Sequence, residues 1–408
     1  MKKIVSALAL ALLLFASSGC SLMPHTNKPI KVSSNNDESS ISIDDESLSS
    51  QDKTSNSKYS SSSSGSTMRP SSNSSIYQPP EPEPSSSSEE SSSSINELIE
   101  THDNSGLNFK LSDTGTYYII TGLKGDKSYY ANKKLYIDDE HDGIAVSRIA
   151  EDAFKGVDIG AVVLPESIDT IGYNAFAESS IKSINIPSAL EVLTFNVFAY
   201  SSLENIEFAN GVKAFEQQAF IGTPLKSIVL PPSVEEIGIS CFQNCYYLES
   251  VTLNSSLKTI NTLAFCRCES LRSITIPVNV SYMRAAFFDC RNIKITIDEG
   301  NTYLKLRDNC LMSYDETVLI EFLNKNSMTE YRVPSNVQII GIYCFAGTRI
   351  NTVIIDNTID YIEGAAFNSS YVKKIIFVGT SAQWENVIRY SGPIEDVDQV
   401  VIDENYGN

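Results

Sequence analysis

The sequence predicts a solenoid of stacked 22–23-residue units, in which parallel strands are joined by short irregular or helical connections. A β-rich N-terminal cap precedes it, and a disordered stalk precedes the cap. Three observations carry the prediction. An aromatic anchor recurs at Phe154, Phe176, Phe198, Phe220, Phe242, Phe265, Phe288, Phe345 and Phe367, with gaps of 22, 22, 22, 22, 23, 23, 57 and 22. Apolar residues lie eight and five positions before the anchors, as Ile168 and Ile171 do before Phe176, or Val234 and Ile237 before Phe242. After each anchor comes apolar-x-x-apolar-x-apolar, often closed by proline, as in Leu225, Ile228, Leu230 and Pro231. A unit this short cannot cover its own apolar face, so neighbouring units stack around a shared core.

The end of that second pattern alternates and is rich in β-branched residues, as a strand with one buried face must be. Proline then ends the strand, having no N–H for the ladder. On this reading the solenoid spans 148–378. Residues 104–147 form its cap, since Leu107, Phe109 and Leu111, then Tyr117 and Ile119, then Leu135 and Ile137, alternate between glycine-containing turns. Residues 379–408 form a C-terminal cap and tail.

The N-terminal hundred residues are an address and a tether. Lys2 and Lys3 precede an apolar run from Ile4 to Phe15, the length of a signal-peptide core rather than a membrane span. The run ends in Ala16-Ser17-Ser18-Gly19-Cys20, which resembles the lipobox of bacterial lipoproteins; the alternative is an ordinary secretory signal with a cysteine at its cleavage site. The resemblance implies a signal peptide over 1–19 and a lipid on Cys20, the chain's link to the membrane. Two acyl chains, at ~0.8 kcal/mol per buried methylene, suffice for stable anchoring. Residues 20–103 are dominated by serine with Asn, Asp, Glu and Pro and are expected to be disordered, because they cannot bury enough apolar surface to offset ordering entropy. Such a chain has an r.m.s. span of roughly 50 Å.

The repeat unit resembles a known family. Ile237-Gly238-Ile239-Ser240-Cys241-Phe242-Gln243-Asn244-Cys245-Tyr246-Tyr247-Leu248-Glu249-Ser250-Val251-Thr252-Leu253 is similar to the BspA-type leucine-rich repeat, roughly I-G-x-x-A-F-x-x-C-x-x-L-x-x-I-x-I-P. The resemblance implies a leucine-rich-repeat solenoid and a surface binding or adhesion module. It also implies that Trp384 plugs the end of the array. Two departures stand out. The doubled Phe287-Phe288 blurs the register, and Ile293, Ile295 and Ile297 alternate where the usual spacing differs. Between 298 and 327 an insert interrupts the array and is expected to project from the rod as a hairpin.

Composition narrows the chemistry. The net charge of -19 argues against nucleic acid and against a polybasic membrane patch. Histidines occur only at positions 25, 102 and 141, so everything beyond works without imidazole. No G-x-S-x-G, H-E-x-x-H, Walker or G-x-G-x-x-G string is present. The acidic clusters Asp138–Asp142 and Asp298-Glu299 lack calcium-loop spacing and read as solvated turns. Cys245 and Cys268 follow their anchors by three residues, and Cys241 and Cys344 precede theirs, so the cysteines read as buried thiols in a ladder, with disulfides as the alternative in an exported chain. Cys266-Arg267-Cys268 has neither redox nor zinc spacing. No catalytic residue, metal ligand or cofactor is expected.

What remains is a surface. Outward positions of the strand pattern align from coil to coil, and the candidate ligand face comprises Lys182, Asn185, Glu207, Lys226, Val229, Thr252, Arg272, Thr275, Arg332, Ile354, Lys373 and Ile376. The reading is a monomeric, non-catalytic protein, lipid-anchored at the outer face of a bacterial membrane or cell surface, that binds an extracellular protein or glycan. The alternative is an envelope protein contacting wall polymer or a neighbouring protein.

Overall fold

The computed structural model describes residues 31–34 and 98–407, apart from 291–292, 309, 324–327, 369 and 390–396. Within them the chain is a β-solenoid of about 11 turns with parallel strands. Two ladders run along it. One is made of the strand motifs, such as Ser183–Ile186 pairing in parallel with Asn205–Phe208. The other is made of two-residue strands just before each anchor, Val192–Leu193, Ala214–Phe215, Glu236–Ile237, Thr259–Ile260 and Tyr282–Met283, each parallel to the next. The connections are turns, and the one α-helix among the described residues is Ser381–Asn386. Thr380 caps it, its hydroxyl accepting from the Gln383 N–H while the Gln383 side chain accepts from the Thr380 N–H.

The anchors fill the interior. From Phe154 through Phe176, Phe198, Phe220, Phe242 and Phe265 to Phe287, successive rings lie 5.0–5.7 Å apart and near parallel. From Phe154 to Phe265 each anchor N–H reaches the carbonyl just before the next anchor, as from Phe242 to Ala264 (2.7 Å) and from Phe265 to Ala286 (2.9 Å). The seventh anchor is therefore Phe287, not Phe288. Phe288 is half-buried and stacks on Tyr343 instead. This shift puts Cys290 three residues after its anchor, in line with Cys245 and Cys268.

The insert does not project. Leu304–Arg307, Cys310–Ser313 and Val318–Phe322 form an antiparallel meander whose last strand pairs in parallel with Ile339–Ile340 and so continues the short-strand ladder. Leu304 and Leu311 are buried in the core that begins at Leu107; Cys310, Met312 and Phe322 are buried in the one that ends at Ile402. Phe322 is an anchor, 5.7 Å from Phe345, and its N–H donates to the Cys344 carbonyl. It follows Leu319 by three residues, where Phe345 follows the paired Ile340 by five, and this shortened turn hid it from the periodic pattern.

Both ends of the ladder lie further out than the sequence indicates. Ile99–Thr101, placed in the 20–103 linker, pairs in parallel with Tyr130–Tyr136, which pairs with Ile159–Val163. The region read as a separate cap thus adds rungs to the sheet, alongside the hairpins Leu107–Leu111/Tyr118–Leu123 and Glu140–His141/Ile144–Ile149. The second hairpin turns at Asp142 and Gly143, both at positive φ (51° and 74°), as its twist requires. At the other end, Ile388–Arg389 and Gln399–Ile402 extend the two ladders beyond 378. Lys31–Ser34, also within the expected linker, pairs with Gln399–Ile402 at that edge. Trp384 is 5% exposed and packs on Phe377, closing the last coil. The signal segment 1–19, Cys20 and the rest of the linker before residue 98 lie outside the described residues.

Candidate binding face

Alternation along each strand sends one set of side chains to the core and the other outward. In Ser227–Val229 and Ser250–Thr252 the central Ile228 and Val251 are buried and the flanking residues exposed. Register then aligns outward residues into rows: Asn185 beside Glu207, Val229 beside Thr252, Thr275 beside Thr296, and Arg332 beside Ile354 beside Ile376. Lys182, Lys226, Arg272 and Lys373 stand one residue before their strands, their side chains exposed. Their carbonyls join the next coil, as Lys226 O does to the Glu249 N–H (2.8 Å) and Arg272 O to the Lys294 N–H (2.8 Å).

The candidates divide into three kinds. Lys182, Glu207, Lys226, Val229, Thr252, Arg272 and Lys373 are exposed, Val229 at 66%. A second kind is engaged within the fold. Asn185 is half-buried, its Oδ1 accepting from the Leu164 N–H (2.7 Å) and its Nδ2 donating to the Leu164 carbonyl (2.9 Å), which stitches it to the previous strand. Thr275 shares a 2.8 Å hydroxyl contact with Thr296, and Arg332 holds Asp356 through Nη2 and Oδ1 at 2.8 Å. Ile354 and Ile376 form the third kind. The sequence presents them as open ligand positions, but each is only 3% exposed.

Residues that pattern reading missed include Thr296, Asp356 and Val401, which completes the row beyond Ile376. The alternating charge at the strand entries, Lys182, Glu204, Lys226, Glu249 and Arg272, was legible in the sequence. It leaves the face mixed in sign, with no unipolar stripe. Ion pairs of the opposite ladder, Lys213 with Glu191 and Lys258 with Glu235, likewise link successive coils and are exposed, so they fix order more than stability.

The thiols are not part of this face. All seven described cysteines are free and buried. Cys245, Cys268 and Cys290 donate to the carbonyls of Phe220, Phe242 and Phe265 at 2.9–3.2 Å. Ser179, Ser201, Thr223 and Thr348 occupy the same slot, donating instead to their own anchor's carbonyl at 2.7–2.9 Å. Burial pushes the Cys245 thiol up to about 11 and Cys266 and Cys310 up to about 12. Thiols held neutral in this way are poor nucleophiles and poor ligands.

The profile of the BspA type leucine-rich repeat region matches in six copies, over residues 133–249, 213–320, 235–373 and 319–388. The chain belongs to the BspA-type leucine-rich repeat family. Among solved structures, a leucine-rich cell surface protein from Faecalibacterium prausnitzii is similar at 18% identity and a TM-score of 0.50, over 71% of this chain and 97% of its own. A leucine-rich repeat protein from Bacteroides ovatus is similar at 18% identity, TM-score 0.46, over 74% and 78%. The pneumococcal vaccine antigen PcpA is similar at 20% identity, TM-score 0.47, over 72% and 76%. At such identities the likeness is one of fold. No curated protein matches the chain. BspA-type repeats form a non-catalytic family with a protein-binding or cell-surface role.

Proposed function

We propose that this BspA-type protein is a lipid-anchored surface adhesin whose outward sheet face, from Lys182 to Thr275, binds an extracellular protein or glycan. One observation carries the reading. Successive parallel strands hold exposed polar and charged side chains in fixed rows, a surface that is rigid before any ligand arrives and therefore loses little entropy on binding. Cys20 supplies the lipid and the serine-rich segment the reach.

Two measurements test this. Cys20→Ala in the producing bacterium moves the protein from the membrane fraction to the medium if the lipid is the anchor; unchanged fractionation refutes it. The chain from Ser21 onward is presented to glycans, matrix proteins and bacterial wall fractions, beside a variant with Lys182, Lys226 and Arg272 all changed to Glu. Saturable binding to a host component, weakened at least tenfold in the variant, supports the adhesin. Binding confined to wall material replaces it with the envelope role.

A further inference from the structure

The outward face changes chemistry at its C-terminal end. Arg332, Ile354, Ile376 and Val401 form one row across four neighbouring strands. Ile354, Ile376 and Val401 are 3%, 3% and 6% exposed. None belongs to the core, which takes Val353, Ile355, Ile375, Phe377, Val400 and Ile402 from the same strands. The three therefore lie on the opposite face, buried there by something other than the interior.

The segment after the last strand lies on this face. After Gln399–Ile402 the Asp403 N–H bonds the Phe377 carbonyl at 3.0 Å. Three residues later the Tyr406 hydroxyl donates to Glu330 Oε2 at 3.3 Å, and Gly407 lies so close to Arg332 that an added Cβ would stand 3.3 Å from Nη1. Glu330 and Arg332 belong to Glu330–Arg332, three strand spacings away, about 14 Å. Residues 404–407 form a turn, and the long Tyr406 and Arg332 side chains close the remaining distance. Asp403–Gly407 thus lies against the outward face between the Phe377 strand and Glu330–Arg332, beside an open groove of about 380 Å³ bordered by Arg332, Asp356, Val378 and Glu404.

We propose that Asp403–Gly407 is a strap occupying a docking surface, and that the surface takes a tyrosine-bearing segment of an extracellular protein in place of Tyr406. Three adjacent aliphatic side chains stand out on a face that is elsewhere Glu207, Val229, Thr252 and Thr275, and once uncovered they form an apolar patch of the kind that marks an interface. Its border fits a phenol: aliphatic floor for the ring, the Glu330 carboxylate for the hydroxyl. The Tyr406 side chain is tied by a 3.3 Å hydrogen bond between exposed groups, a tie that a competing phenol exchanges for its own at small cost. The proposal rests on the reading that the outward face binds, and confines it to this end.

The test uses a labelled synthetic peptide of residues 403–408 and fluorescence anisotropy. The chain ending at Ile402 is expected to bind it at least tenfold more tightly than the full chain, and full-length Tyr406→Ala, which keeps the terminus, to fall between them. Ile376→Asp in the shortened chain abolishes the gain. Equal binding by full and shortened chains overturns the proposal, as does undiminished binding by Ile376→Asp. Sedimentation of the shortened chain as a dimer that the peptide does not dissociate also overturns it, assigning the face to a second copy. Changing Lys182, Lys226 and Arg272 leaves peptide binding unaltered, so failure of the adhesin reading is read separately.

Discussion

In the five coils from Phe176 to Phe265 two backbone positions sit in the left-handed region, two residues before the anchor and two after. Asn174, Asn196, Gln218, Ser240 and Leu263 take the first at φ of 53–60°; Glu178, Tyr200, Gly222, Asn244 and Arg267 take the second at 55–70°. Only glycine adopts this conformation without strain. At Gly222 a Cβ would also stand 2.5 Å from the Tyr200 ring. Gly222→Ala is therefore expected to lower stability by about 1–3 kcal/mol, and Leu263→Gly to raise it by about 0.5–1 kcal/mol, measured by urea unfolding. The thiols yield a pH prediction. Their folded pKa values lie above the ordinary 9.0, so the native state keeps protons that the unfolded chain releases. Stability from Cys245, Cys266 and Cys310 is complete below pH 9 and is lost as pH rises toward 11–12, at about 1.4 kcal/mol per pH unit per thiol. Urea midpoints at pH 8, 9 and 10 check this, and Cys245→Ser, which installs the hydroxyl that other coils carry in that slot, should flatten the fall.

At the scale of the element, the anchor stack decides stability coil by coil. Phe287 is fully buried and Phe288 is not. Phe287→Ala is accordingly expected to cost about 3–5 kcal/mol and Phe288→Ala less than about 1.5 kcal/mol, by the same unfolding measurement; the reverse order would restore the register that periodicity alone suggests. The period was legible because one ring type repeats in one slot, and stacking selects for that sameness. It failed where the slot is kept and the spacing is not. At Phe287-Phe288 two rings compete for one position, and at Phe322 the turn is two residues shorter, so a true coil reads as an insert. Beyond Phe367 the plug is Trp384 on a short helix, and the coil through Gln399–Ile402 has no phenylalanine to announce it.

For the whole solenoid, strand alternation told which residues face outward but not which remain open. Ile354 and Ile376 are buried outside the repeat core, and residues 403–407, which lie against the same face, belong to no repeat and have no periodic signature. The same holds where the two cores meet. The rings stack from Phe154 to Phe287 and again from Phe322 to Phe367. There the Phe287 N–H, which in other coils would reach the carbonyl before the next anchor, reaches the buried carboxylate of Glu321 at 3.3 Å, the residue immediately preceding Phe322. A carboxylate of one core thus accepts from the main chain of the other. Nearby, Arg284 Nη1 and the Ile342 N–H both donate to Glu363 Oε2, at 2.8 and 2.7 Å, adding a second tie across the joint. Solenoid cooperativity is a sum of coil stabilities and nearest-neighbour contacts, so one weakened contact can uncouple the halves. Glu321→Ala removes this charged acceptor, costing about 1–3 kcal/mol at that contact. Unfolding followed by hydrogen exchange should then resolve into two transitions, one for each core, where the parent shows one. Glu321→Gln keeps an oxygen acceptor and should keep the single transition; two transitions in both variants, or in neither, would mean that the carboxylate does not couple the cores.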